Sequence, residues 1–149
     1  MYSRRTPDEA LQVRHGTTMI RLLRHTEYQS IPIVIENEKG TERQGKGWTS
    51  IMTCQYGYIE GVQGADGDEL DCFVGPNASA SRVYIINQVK GNGHFDEHKI
   101  MLGFSSTGEA EGCYNAHYPP SISRLQTITD MSMAQFIRKL KTHRWNNAV

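Results

Sequence analysis

Asp66-Gly67-Asp68-Glu69-Leu70-Asp71 places three aspartates and a glutamate within six residues. No Lys or Arg occurs between Gly47 and Ser81, a window that also holds Glu60. The window therefore carries five acids and no base close in sequence to neutralise them. Crowded carboxylates resist joint ionisation unless a cation sits among them. Hard oxygen donors select a hard cation, Mg²⁺ first and Mn²⁺ as an alternative. The competing interpretation is a solvated acidic loop, which is common in globular proteins.

Two neighbours of the acidic run favour a site over a loop. Gly64 and Gly67 mark a tight turn, and Leu70-Asp71-Cys72-Phe73-Val74 continues as a strand. Asp71 then sits between apolar residues, where an unpaired carboxylate is costly. A calcium-binding EF-hand loop is a poor match. It wants acids at its first, third and fifth positions and Gly at the sixth. Here the fifth position is Leu70 and the glycine is second.

The run Asp66-Gly67-Asp68-Glu69-Leu70-Asp71-Cys72 resembles the aspartate motif of family I soluble inorganic pyrophosphatases. Tyr56-Gly57-Tyr58-Ile59 precedes it at that family's spacing. The segment from Phe95 to Phe104 and the Gly-Ala-Asp-Gly-Asp run are similar to those of the shorter, phage-encoded pyrophosphatase-like proteins. The resemblance covers about residues 31–118.

By that resemblance Asp66, Asp68 and Asp71 are metal ligands, and Asp68 orients or deprotonates the attacking water. Glu36, at the end of Ile33-Val34-Ile35-Glu36, resembles the segment carrying another active-site glutamate; a solvated strand end is the alternative. Asp96-Glu97-His98-Lys99 resembles a shortened metal-binding segment followed by a phosphate-contacting lysine. Strand alternation puts Glu97 and Lys99 on one face and His98 on the other. An ion pair between strands on the surface is the plain alternative for these two. Arg43 is the natural phosphate clamp, because guanidinium is permanently charged and bidentate. Its register is one residue off the family's, so Lys39 and Lys46 stay in contention. Tyr56 is expected to donate to phosphate, and either Tyr114 or Tyr118 stands for a C-terminal family tyrosine. A second family tyrosine is replaced by Met52, and the segment between Glu36 and Tyr56 is short.

The elements that must position these groups are legible in outline. Thr6-Pro7-Asp8-Glu9 has the form of a helix start, running to about Gly16. Residues 17–30 are ambiguous between helix and strand. Ile31–Glu36 reads as a strand with an exposed edge, given Pro32. Further strands are expected at 48–54, 56–60, 70–74, 82–89 and 98–104, and a short one at 125–129. Short strands between glycine turns suggest a small antiparallel barrel. Thr107–Tyr118 is a glycine-weakened helix. Ser132–Lys141 is the clearest helix, with Met133, Phe136, Ile137 and Leu140 on one face. Trp48 and Trp145 are expected to pack, and His117 to be a surface or internally satisfied histidine.

Together these imply a mainly β, α+β single domain over 1–149. It divides into an N-terminal helical extension (1–30), an OB-like antiparallel barrel (about 31–104) and C-terminal helices (about 105–149). With 149 residues the chain can bury a sizeable core. Zero formal net charge argues against a dedicated nucleic-acid binder. No apolar run reaches the length of a membrane span, and no signal-peptide pattern opens the sequence. Cys54, Cys72 and Cys113 have no zinc spacing, so reduced cytosolic thiols are expected.

The resemblance implies Mg²⁺-dependent hydrolysis of inorganic pyrophosphate to two phosphates by direct attack of a metal-bound water. Hydrolysis of a nucleotide-linked pyrophosphate is one alternative. A pyrophosphatase-derived phage module that binds a host or virion protein is another. The expected setting is the host cytoplasm, with a small phosphate-containing substrate and room for a homo-oligomer.

Overall fold

A computed structural model of the chain describes residues 11–14, 17–20, 23–118 and 124–149. Eleven strands and two helices are defined among them. Two short strands, β1 (Leu11–Arg14) and β2 (Thr17–Ile20), pair antiparallel as a separate ribbon. The central sheet has seven strands. They are β3 (Arg24–Tyr28), β4 (Ile31–Asn37), β7 (Gln55–Gln63), β8 (Glu69–Val74), β9 (Arg82–Val89), β10 (Phe95–Leu102) and β11 (Leu125–Ser132). A third ribbon joins β5 (Glu42–Gly45) to β6 (Trp48–Ile51). Helix α1 is Thr107–His117 and α2 is Met133–Thr142.

The order in the main sheet is β11-β9-β10-β8-β7-β4-β3. All neighbours are antiparallel except β8 and β10, which run parallel. β3 and β11 are the two ends of this order, so the ladder does not close into the expected barrel. The sheet nevertheless curls. Tyr28 donates its hydroxyl to the Asn77 carbonyl at 2.9 Å, and Gln29 Nε2 donates to Ala80 O at 2.8 Å. These bonds join the β3–β4 turn to the loop before β9, although those strands are not ladder neighbours. Gln29 and Ser30 both have positive φ (47° and 68°). That is the two-residue hairpin geometry usually taken by Asn-Gly, and the Gln29 amide bonds help hold it here.

Strand alternation divides the core in two. On one face Ile33, Ile35, Ile59, Leu70, Cys72, Ile85, Ile100 and Leu102 pack with Phe136 and Trp145. On the other, Tyr56, Phe73, Tyr84, Ile86 and Met101 pack with Ala110 and Tyr114 of α1. Each large buried side chain contributes roughly 1.5–3 kcal/mol. α2 follows the expected stripe: Phe136 is buried, and Met133, Ile137 and Leu140 pack beside it. Ser132 caps it, with a reciprocal capping box to Gln135.

Several expectations are corrected. The helical extension over 1–30 is not what the described residues form, since 11–14, 17–20 and 24–28 are strands. Val13, Thr17, Thr18 and Ile20 are β-branched, which suits strand pairing over helix. The Thr6–Glu9 helix start lies outside the described residues. β4 is not an edge strand, because β3 and β7 flank it. Its pairing with β7 includes Ile33↔Ile59 and does not involve Pro32, so the missing N–H of Pro32 costs that ladder nothing. β11 runs to Ser132, longer than expected. No described helix is long and apolar enough to cross a membrane.

Candidate active site

The motif Tyr56-Gly57-Tyr58 sits on β7 between β4 and β8. A side chain at Gly57 would meet the Val34 carbonyl at 1.8 Å, so only glycine admits this approach of β4. Tyr56 pairs with Phe73, which makes Asp71 its diagonal neighbour on the same face. The parallel register Ile100↔Cys72 sets Lys99 beside Asp71. Glu97 lies two residues before Lys99 and shares its face.

These four groups meet. Tyr56 donates its hydroxyl to Asp71 Oδ2 at 2.8 Å. Lys99 Nζ donates to the same oxygen at 2.8 Å and to the Tyr56 hydroxyl at 3.0 Å. It also pairs with Glu97 Oε1 at 2.6 Å. The Lys99 side chain is 6% exposed and that of Asp71 12%. Burial would drive the Lys99 ammonium down. The Tyr118 and Tyr56 hydroxyls and Glu97 outweigh it and hold the ammonium well above the ordinary lysine range. The Glu97–Lys99 pair thus joins residues of one strand within the site, and is not a surface pair between strands.

Arg43 approaches from the β5–β6 hairpin. Its guanidinium lies 4.4 Å from the centre of the Tyr56 ring and 5.2 Å from that of Trp48. Burial opposes its charge, but Tyr56, Tyr118 and Glu36 more than restore it. Lys39 and Lys46 are exposed, so Arg43 is the cation of the three that joins Tyr56. Glu36 is half-buried and acts on Arg43. Tyr118 follows α1, stacks on Tyr114 at 4.6 Å and faces Lys99 at 5.7 Å. Burial pushes its hydroxyl up to about 12. Tyr114 instead donates to Gln88 Oε1 at 2.7 Å. Of the two tyrosines left open by the sequence, Tyr118 is the one at the site.

The acidic turn is built by its own backbone. Gly64 N–H donates to Asp68 O at 2.7 Å, Gly67 adopts φ 88°, and Asp68 N–H donates to Asp66 Oδ1 at 3.0 Å. One small cleft is lined by Asp66, Glu69, Leu70, Asp71, Glu97 and His98. Burial raises the Asp66 carboxyl, and Glu97 and then Asp68 push it further against the Asp68 amide bond. Glu69, which the sequence offered without a role, belongs to this cleft.

Not every expected ligand joins it. Asp68 does not line the cleft, though it is near enough to act on Asp66. Asp96 accepts from Gln88 Nε2 at 3.1 Å and belongs to the Tyr114 network. A bulge between Phe95 and Glu97 separates its register from that of Glu97 and Lys99. Among the described residues no three carboxylate, histidine or cysteine groups are placed to hold one ion. Lys99 Nζ pairs with both Asp71 and Glu97. The donor chemistry still suits a hard divalent cation. Four carboxylate residues, Asp66, Glu69, Asp71 and Glu97, line the cleft, and the Asp66 carboxyl, raised first by burial and then by Glu97, is one that such an ion would hold ionised.

Met52, which replaces the second family tyrosine, is buried with Tyr56 and Phe73. Trp145 is core, as expected, but Trp48 is 37% exposed beside Arg43. His117 is buried and internally satisfied. Thr53 N–H donates to its Nε2, leaving Nδ1–H to donate to Cys113 O at 2.7 Å.

A family model described as Inorganic Pyrophosphatase matches residues 16–141. No curated protein and no solved structure matches the chain. The matched span includes the acidic turn, Tyr56, Lys99 and Arg43, and the chain belongs to the inorganic pyrophosphatase family.

Proposed function

We propose that this chain is one pyrophosphatase-like domain that hydrolyses inorganic pyrophosphate to two phosphates with Mg²⁺. The observation that carries this reading is the junction of two cations and two tyrosines, Lys99 and Arg43 with Tyr56 and Tyr118, beside an acidic cleft. Phosphoryl transfer rests on positioning and on charge stabilisation. Arg43 and Lys99 supply positive charge for phosphate oxygens, and the tyrosine hydroxyls supply donors. Asp66, Asp68 and Asp71, with Glu97, would hold Mg²⁺ once Lys99 Nζ turns from Asp71 and Glu97 to phosphate; when bound, the ion lowers the pKa of water and neutralises phosphate charge. Asp68 accepts the proton of the attacking water. The water oxygen forms the new P–O bond, the bridging P–O bond breaks, and the second phosphate leaves against Arg43 and Lys99.

A second reading, cleavage of a nucleotide-linked pyrophosphate, is favoured by Trp48. This exposed indole lies on the hairpin that carries Arg43, where a base could stack. Phosphate release from pyrophosphate and from a panel of nucleotides, with Mg²⁺ or Mn²⁺, separates the two. Release from pyrophosphate alone supports the first. Release from none of them overturns both and turns attention to binding a host or virion protein.

A further inference from the structure

Apart from the candidate active site, the joint between α1 and the start of β7 holds two thiols. Cys54 Sγ and Cys113 Sγ are 2.8 Å apart across 59 positions of sequence. That is less than an ångström beyond the ~2.05 Å of a disulfide bond. Thr53 and His117 frame the pair. Thr53 Oγ1 lies 3.9 Å and His117 Nδ1 4.0 Å from Cys113 Sγ, and the Thr53 N–H donates to His117 Nε2 at 3.1 Å. Cys54 is 5% exposed and Cys113 is half-buried, whereas Cys72 is fully buried in the opposite core face.

We propose that Cys54 and Cys113 are a reversible disulfide site, closed by a hydroperoxide and reopened by a dithiol. The contact lets one thiol react first and the other resolve it. The Cys113 thiol pulls the Cys54 thiol below its ordinary range against the effect of burial, while that same bond raises Cys113, which favours the Cys54 thiolate as the nucleophile. It attacks the O–O bond, giving a Cys54 sulfenic acid and releasing the alcohol, or water when the oxidant is hydrogen peroxide. Cys113 then attacks the sulfenyl sulfur. The S–OH bond breaks, water leaves with the thiol proton, and the S–S bond forms. Two thiols lose two electrons and two protons, and the peroxide takes both. The bond ties the strand bearing Tyr56 to the helix that ends at Tyr118.

The proposal goes beyond the hydrolytic reading and its test does not use turnover. The full chain is treated with a small excess of hydrogen peroxide and compared with dithiol-reduced protein. The expected result is an intact mass lower by two hydrogens and a peptide map joining Cys54 to Cys113. Free thiols should fall from three to one, and all changes should reverse with dithiol. Cross-linking a loop of this length should raise Tm on the order of 10 °C. Cys113→Ser should lose that rise and instead leave a sulfenic acid at Cys54 that a dione probe captures. Three intact thiols after treatment, a bond to Cys72, or a bond only between two chains would each overturn the proposal. The wild-type peptide map decides the matter even if the variant does not fold.

Discussion

Asp71 Oδ2 accepts from both Lys99 Nζ and the Tyr56 hydroxyl, each at 2.8 Å, in a site where neither ionic side chain is more than 12% exposed. One carboxylate oxygen thus fixes a cation and a phenol together. Removing one partner of a buried ion pair leaves an uncompensated charge. Lys99→Met should therefore cost about 3–5 kcal/mol of stability, because Asp71 and Glu97 both lose their cation. Urea unfolding measures it. A loss below about 1 kcal/mol, the scale of an exposed pair, would show that water screens this pair as it does surface ones. The double variant with Asp71→Leu should recover part of the loss, by a double-mutant cycle.

Arg43 stacks on Tyr56 but projects from a two-stranded hairpin at the edge of the core. Its stacking is worth about 1 kcal/mol, so Arg43→Ala should leave the fold nearly as stable. Loss of a preorganised cation should slow pyrophosphate turnover by about 10²-fold or more. Lys46→Ala, at an exposed position on the same hairpin, should change neither. Equal rates for Arg43→Ala and wild type would take Arg43 out of the mechanism.

Asp66 and Asp68 sit in one turn yet should fail differently. Asp66 lines the cleft and its carboxyl is already raised by burial and by Glu97. Asp66→Asn should weaken Mg²⁺ binding first, and added Mg²⁺ should restore part of the rate. Asp68→Asn keeps the shape but cannot accept a proton, so it should lower turnover by about 10²–10⁴-fold without rescue. Calorimetry with Mg²⁺ alongside phosphate release distinguishes them. The opposite pattern would exchange their roles.

Local patterns in the sequence carried much of this fold. α2 was legible because its apolar stripe and Ser132 cap agree, and β8 to β10 because short apolar runs lie between glycine turns. The placing of Glu97 and Lys99 on one face followed from strand alternation alone. What could not be read was non-local. The parallel pairing of β8 with β10 sets Lys99 against Asp71, and no spacing in the chain announces it. Lys99 in turn pairs with Asp71, one of the three carboxylates expected to meet. The N-terminal helix cues lie outside the described residues, while the β-branched residues after them form strands. The contact of Cys54 with Cys113 arises from docking α1 on the sheet, which residue counts do not show.

His98, on the opposite face of β10 from Lys99, provides a pH test of the core. It is 1% exposed. Its ring packs edge-on against Trp145 at 5.1 Å and tilts against Phe95 at 4.6 Å. Burial, opposed by the Asn147 backbone and Glu97 and aided by His143, pulls it down from 6.5 to about 4. The folded state thus keeps His98 neutral where the unfolded chain protonates it. Between pH 6.5 and 4 the unfolded state binds more protons, so stability rises with pH across that window and is lost as pH falls through it. The contribution present above pH 6.5 is on the order of 3 kcal/mol. His98→Phe keeps an aromatic ring against Trp145 and removes the titration. Its Tm should decline less than that of wild type from pH 6.5 to 4, and the two curves should run parallel above neutrality. If both proteins lose Tm equally over that window, His98 is not what makes the core sensitive to acid.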